Sequence, residues 1–267
     1  MGPQPRVVVL DLDGTIIGSN EQVSNVMTEK INELKANKYP VIIATGRTLL
    51  GCSKILDVLQ PEWPVICFDG RYVYDYSRKT VLYSETLPDH AMAKIIAKYS
   101  TSFYIIQEHG GMLTASSEES RMYFSLYYGI SRGLISVGET REPVVCLYMK
   151  SKPNQFGTYF KKVLVPEVEE LGLEIKERQN DWFVIRSAAG DKKIGLDFVV
   201  NYCGFEMSST IAIGDGNNDI EMLKGAGTSI AMLNGEEHVK RIATYVAGHV
   251  DEDGLLFYLE KILEGSI

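Results

Sequence analysis

The sequence predicts an α/β protein: a doubly wound, parallel-sheet core interrupted by an inserted α+β domain. Three observations support this. Short apolar runs alternate with helical periodicities over the first 68 residues, an aromatic hairpin-like pattern replaces them from 71 to about 186, and the first rhythm returns after Asp191. Strands that alternate with helices pair in parallel, because each helix carries the chain back across the sheet.

Taken in order, Val7–Leu10 is a continuous apolar run, as a strand buried on both faces requires. Val23, Val26, Met27, Ile31 and Leu34 recur at helical spacing, which predicts a helix over 23–37. A second β-rich run at 40–44 leads into Thr45-Gly46-Arg47, a helix to about Leu59 and a third strand at 65–68. "RYVYDYSRKTVLYSE" (71–85) alternates around a Ser-Arg-Lys turn and reads as a hairpin. Beyond it, helical stretches at 89–99 and 153–164 mix with aromatic strands at 103–106, 144–149 and 182–185. "HGGMLTASSEES" reads as an exposed polar loop, and Pro166 is expected to end or kink the second helix. The stripe Phe156, Tyr159, Phe160, Val163 and the aromatics Tyr123, Phe124, Tyr127 and Tyr128 read as packing. After Asp191 come a helix through 196–202, a strand at 210–213, "GDGNND", a helix to about Gly225, a strand at 229–232 and helices near 236–243 and 254–263. The core is thus Rossmann-like and split, 1–86 and 188–267, around an insertion at 87–187 between its third and fourth strands.

Composition narrows the function. The 267 residues are 45% hydrophobic and 23% charged, a globular balance, and the net charge of −8 argues against nucleic acid or an anionic membrane as partner. The four cysteines form no CxxC pair and read as reduced, packed thiols. No apolar run nears the roughly 20 residues that span a bilayer, and Asp11 and Asp13 break the apolar stretch a signal peptide would need. The expected compartment is the cytoplasm. No interface signature marks an oligomeric state. An acidic protein that binds an anion must line its site with something positive.

The first strand ends in two carboxylates. Asp11 and Asp13, at i and i+2, point the same way at the carboxyl end of the sheet, where open α/β folds bind ligands. Gly14 lets the chain turn sharply, and Thr15 offers a donor. Side by side the two acids repel, so one takes up a proton unless a cation balances them. "IAIGDGNND" repeats the pattern with Asp215 and Asp219 around Asn217 and Asn218. Oxygen donors at strand ends suit a hard cation such as Mg2+, and if the first and fourth strands are neighbours, Asp11, Asp13 and Asp215 converge on one ion. A calcium loop is excluded: its sixth and twelfth positions need Gly and Glu, but hold Ile16 and Gln22 in one stretch and Ile220 and Ala226 in the other. The bland alternative for either cluster alone is a solvated acidic turn.

Asp11-Leu12-Asp13-Gly14-Thr15, Thr45-Gly46-Arg47, a lysine opening a helix, and Gly214-Asp215-Gly216-Asn217-Asn218-Asp219 together resemble, in order, the four motifs of the haloacid dehalogenase superfamily. The "TGR" form, the long insertion, and "GDGNNDIEML…GTSIAML" followed by "DEDG" resemble its Cof-type sugar-phosphatase branch with an α+β cap of type IIB. The resemblance implies a phosphatase in which Asp11 is the nucleophile, becoming an aspartyl-phosphate, and Asp13 is the general acid and base. It implies Mg2+ held by Asp215, one oxygen of Asp11 and the Asp13 backbone carbonyl, with Asp219 and Asn218 orienting the metal shell or the lysine. Thr45, Gly46, Arg47, Lys192 and Asn218 would then bind the phosphoryl group, with Thr45 and Lys192 also catalytic. Lys193 competes with Lys192, but Lys192 lies at the family's spacing before Gly204.

Arg47 is open between substrate or cap contact and pairing with a cap carboxylate. Asp69-Gly70 stands where the family usually has Asn-Gly, adding a charge that Arg71 could offset and putting inherited substrates in doubt. Gln107, His109, Arg121, Arg178 and Trp182 could face a leaving group, or be solvated or packed; His109 beside two glycines reads first as an exposed-loop histidine. The implied substrate is a small phosphorylated metabolite, foremost a sugar phosphate. The rivals are a phosphomutase with related motifs and a catalytically silent metabolite-binding protein.

Overall fold

A computed structural model of the chain describes residues 6–109, 112–128, 135–137, 143–152, 157–178 and 182–267. It contains two compact units, one formed by Met1–Tyr83 with Gly190–Ile267 and the other by Ser84–Ala189.

The first unit begins with β1 (Val7–Leu10), fully buried as its unbroken apolar run demands. The Ser24 hydroxyl accepts from the Met27 amide at 3.0 Å to start α1 (Asn25–Ala36), which buries Met27, Ile31 and Leu34 while Val26 is exposed. β2 (Val41–Ile43) and α2 (Leu49–Leu59), capped by Thr48, follow. β3 (Val65–Cys67), β4 (Tyr72–Asp75) and β5 (Thr80–Ser84) form a separate three-stranded sheet in that order. This revises the expected third core strand: β3 pairs antiparallel with β4 and joins β2 through a single parallel bridge, Ala44 with Ile66. The cause is local. Phe68, Asp69 and Gly70 all have left-handed φ (57°, 52° and 82°), which turns the chain back on itself at once.

The second unit holds α3 (Asp89–Tyr99), β6 (Phe103–Glu108), β7 (Leu113–Ala115), α4 (Glu118–Tyr128), β8 (Ile135–Val137), β9 (Cys146–Ser151), α5 (Gly157–Glu170), β10 (Leu173–Arg178) and β11 (Trp182–Ser187). Its sheet runs β10-β11-β9-β6-β7-β8. Phe103, Ile105, Leu147, Met149, Phe183 and Ile185 pack against Ala91 and Ile95 of α3 and Leu164 and Val168 of α5. One expectation fails here, and one of two alternatives is ruled out. The stretch "HGGMLTASSEES" is not a loop: it contains buried β7 and the start of α4, whose first turn is held by the Ser120 amide donating to Ser117 Oγ at 3.1 Å. Of the two outcomes expected at Pro166, an end is ruled out: α5 runs through it to Glu170, with Leu164 and Val168 on either side of the proline buried in the same core. Phe156 and the side chains of Tyr127, Tyr128, Tyr159, Phe160 and Arg178 lie outside the described residues.

The chain then returns to the first unit with α6 (Lys192–Cys203), β12 (Thr210–Gly214), α7 (Ile220–Gly225), β13 (Thr228–Ala231), α8 (Glu237–Ile242), β14 (Tyr245–Val246) and α9 (Leu256–Leu263). The parallel sheet has the order β14-β13-β12-β1-β2. β1 lies between β12 and β2, with Leu10 opposite both Ile213 and Ile43. The first and fourth predicted strands are therefore neighbours, and the segments starting at Asp11, Thr45 and Asp215 all leave the sheet at one end.

Candidate active site

Asp11 is one residue past β1, and its amide still donates to the Ile213 carbonyl at 3.0 Å, so its position is set by the sheet. The amides of Thr15, Ile16 and Ile17 all donate to the Leu12 carbonyl at 3.2, 3.0 and 2.9 Å, winding the following loop tightly. Gly14 is required there: its φ is +80°, and a Cβ would lie 2.1 Å from Asp215 Oδ2. The two acidic loops thus touch at a glycine. Thr15 Oγ1 donates to Asp11 Oδ2 at 3.1 Å.

Lys192, the first residue of α6, is fully buried and donates to Asp11 Oδ1 and to Asp219 Oδ1, each at 2.6 Å. The Asp191 side chain caps this helix by accepting from the Lys193 amide at 2.6 Å. Lys193 points elsewhere and pairs with Asp197 on its own helix. Asp219 uses its other oxygen to accept from the amides of Asp215 and Gly216 at 3.0 and 2.9 Å, which shapes the "GDGNND" turn.

Asp11, Asp215 and Asp219 each offer an oxygen within 4.8 Å of the others. Lys192 is the cation among them, and the group remains short of positive charge. Burial pushes the Asp11 carboxyl up to about 8, with Lys192 opposing and Asp219 and Asp215 adding to the rise. Burial and Asp219 push Asp215 up to about 6. Burial alone would lower Lys192, but Asp11 and Asp219 outweigh it and hold the ammonium above its ordinary value. Three crowded carboxylates balanced by a single ammonium fit a hard divalent cation. Asp11, Asp215 and Asp219 are the side chains that would hold it.

The resemblance assigns Asp13 to the metal through its backbone carbonyl, and its side chain faces another way. Its side chain does not join this cluster; it is half exposed and takes a two-pronged ion pair from Arg47, Nε to Oδ2 at 2.8 Å and Nη2 to Oδ1 at 2.5 Å. The fork geometry of guanidinium matches a carboxylate, and β1 and β2 bring the two loops together. Here Arg47 pairs with Asp13, a carboxylate of its own unit.

Thr45 is buried and its Oγ1 accepts from the Arg47 amide at 3.0 Å. Beside it, Asn218 Nδ2 donates to Asp69 Oδ1 at 2.8 Å, and a Cβ on Gly46 would lie 2.8 Å from that same oxygen. Arg71 is buried, donates to the Phe68 carbonyl at 3.4 Å and lies directly under Gly190. In the second unit His109 is not an exposed-loop residue: it is buried, with Nε2 2.8 Å from Thr114 Oγ1. Gln107 is buried on β6, Trp182 packs edge-on to Phe124 and Arg121 pairs with Glu118.

Sequence reading missed Asn234. Its Nδ2 donates to the Gly14 carbonyl at 2.7 Å and to Asp215 Oδ2 at 3.3 Å, and its Oδ1 accepts from the Val250 amide at 3.0 Å. An asparagine followed by glycine after the β13 run looks like an ordinary turn, so nothing local marks it.

Residues 8–259 match the family of haloacid dehalogenase-like hydrolases. Among curated relatives, the pyridoxal phosphate phosphatase YbhA of Escherichia coli K12 is 26% identical, covering 95% of this chain and 97% of that protein. A 5-amino-6-(5-phospho-D-ribitylamino)uracil phosphatase of Bacillus subtilis, YitU, is 25% identical over 98% of each. Among solved structures, TM0651 from Thermotoga maritima has a TM-score of 0.81 at 21% identity, covering 97% of both chains. The subclass IIB sugar phosphatase BT4131 has a TM-score of 0.69 at 21% identity, covering 96% of this chain and 98% of that one. With this sheet order, these acidic strand ends and that match, the chain belongs to the haloacid dehalogenase-like hydrolases, in their Cof-type branch, and is an enzyme of the phosphatase kind.

Proposed function

We propose that the protein is a Mg2+-dependent phosphatase of small phosphorylated metabolites, foremost sugar phosphates, working through an aspartyl-phosphate on Asp11. The observation that carries this is the buried trio of Asp11, Lys192 and Asp219 beside Asp215. Lys192 and Thr15 hold the two Asp11 oxygens in a fixed plane at the end of β1. Such preorganisation supplies much of the help a phosphomonoester needs, because reorientation is avoided at the moment of attack.

In the first half-reaction an Asp11 oxygen bonds to phosphorus, the ester P–O bond breaks, and Asp13 gives a proton to the departing alcohol. In the second, Asp13 takes a proton from water as its oxygen attacks phosphorus and the Asp11–phosphate bond breaks. To reach the leaving oxygen, the Asp13 side chain turns away from Arg47 and enters the cycle as the protonated acid, carrying the proton taken from water in the previous turnover, which frees the guanidinium for a phosphoryl oxygen. Thr45, Gly46, Lys192 and Asn218 complete the phosphate-binding set. Mg2+, when bound, offsets the negative charge of nucleophile and phosphate together. The inserted unit is assigned the choice of leaving group.

The test is phosphate release from a panel of sugar phosphates, pyridoxal phosphate, nucleotides and flavin mononucleotide, with and without Mg2+. Turnover that needs the metal and disappears in Asp11→Asn supports the proposal, as does a phosphorylated Asp11 peptide after rapid quenching. Substrate binding with no phosphate released from any member would sink it, and isomerised sugar phosphate without release would make it a mutase.

A further inference from the structure

The sequence motif "DEDG" (251–254) has no part in the chemistry above, yet it is tied to the loop that carries the carboxylates. Asp251 Oδ1 accepts from the Ser19 amide at 2.7 Å, and Asp253 Oδ1 accepts from Ser24 Oγ, also at 2.7 Å. Ser24 is the residue that caps α1. The loop itself is closed by the Gly254 amide donating to His249 and the Gly248 amide donating to Gly254. From this brace the Val250 amide reaches Asn234, and Asn234 reaches Gly14 and Asp215.

We propose that Asn234 is a positioning residue of the acidic centre, holding the Gly14 carbonyl and the Asp215 carboxylate at the spacing a divalent cation requires, with the 249–254 loop as its anchor. The inference rests on the metal-dependent reading of the site. Three features support it. First, the orientation of the amide is forced. Val250 N–H needs an acceptor, so Oδ1 must face it, and the NH2 group must face Gly14 O and Asp215 Oδ2; a flip would turn all three contacts repulsive. Second, Asp215 is hemmed in on two sides. A Cβ on Gly14 would meet its Oδ2 at 2.1 Å, and one on Gly235 would meet its carbonyl oxygen at 2.7 Å, so small shifts of the loop would be felt directly by the carboxylate. Third, the donor is neutral. A lysine there would cancel the charge of Asp215, whereas an amide directs the carboxylate and leaves its charge for the cation.

The test measures Mg2+ binding to the full-length protein by calorimetry, without substrate, alongside the melting temperature of the metal-free protein. Asn234→Ala removes all three bonds. Val250→Pro removes only the N–H that orients the amide; Val250 is the first residue of a 3-10 turn and His249 before it is extended (φ −72°, ψ 141°), so proline is accommodated there. Both variants are expected to bind Mg2+ roughly tenfold more weakly or worse, as loss of a ligand-orienting partner typically does. Their kcat should recover at high Mg2+ with the substrate KM unchanged. Unaltered Mg2+ affinity in both variants, whatever happens to their melting temperatures, overturns the proposal and leaves the phosphatase reading intact. Weakened Mg2+ binding in a protein that releases no phosphate supports the positioning role while removing the phosphatase reading.

Discussion

Replacing Lys192 with methionine removes the buried cation while keeping an unbranched side chain one atom shorter. Its ammonium lies 2.6 Å from both Asp11 and Asp219, and lysine and acids alike are almost fully shielded from water. Breaking a buried pair by deleting one partner costs about 3–5 kcal/mol, because an uncompensated charge stays behind. The site can escape that cost by binding a proton in place of the ammonium. Holding an aspartate neutral at about pH 7, some three units above its ordinary value near 3.9, costs roughly 4 kcal/mol, and at about pH 5.5 roughly 2 kcal/mol. The two estimates agree. The sign follows from linkage. Asp11, at about 8, already retains a proton in the metal-free wild type, and above about pH 6, where wild-type Asp215 has lost its own, the variant retains one more on Asp215. A carboxyl raised in the folded state stabilises it fully below the unfolded value and loses that contribution as pH rises through the folded value. The gap in unfolding free energy between wild type and Lys192→Met should therefore widen with pH by about 1.4 kcal/mol per unit. Urea unfolding of both proteins, metal-free, from about pH 6 to about pH 8 measures it. A gap that stays level across that range, or is below about 1 kcal/mol throughout, refutes the account of Lys192 as the charge that holds this site together.

Gly14→Ala should lose Mg2+ binding and destabilise the fold by about 2 kcal/mol, from a left-handed backbone and a Cβ driven into Asp215, as calorimetry and urea unfolding would report. Arg47→Ala should change stability by less than about 1 kcal/mol, since its pair with Asp13 is half exposed, but should lower kcat/KM for phosphate release by about tenfold or more. Asp69→Asn keeps shape and removes charge beside Asn218 and Gly46; KM for a phosphate dianion should fall by about two- to tenfold, an effect that shrinks as salt is added.

Much of the site was readable from local pattern. An apolar run that stops at Asp-Leu-Asp-Gly, and another at Gly-Asp-Gly-Asn-Asn-Asp, mark two strand ends with acids on them, and both runs are strands. Asp69 was visible as a departure, but its partner was not, because Asn218 is 149 residues away. The periodicity of α5 was legible and its endpoint was not, since proline is tolerated where flanking leucine and valine are already buried. In "HGGMLTASSEES" the polar composition concealed a strand and a helix start, because serines there serve as caps and partners inside the second unit.

The sequence alone determined which residues are acidic, where most strands and helices fall, and which glycines permit sharp turns, because these depend on neighbours a few positions away. The family spacing singles out Lys192 over Lys193; the tertiary structure shows it meeting Asp11 across 181 positions, and it alone decided that Arg47 holds Asp13 and that Asn234 joins Gly14 to Asp215. Those choices depend on where a side chain points once separate strands lie in register. A periodicity has no means of encoding that direction; it is set by the parallel pairing of β12, β1 and β2, which gathers distant loops at one edge of the sheet.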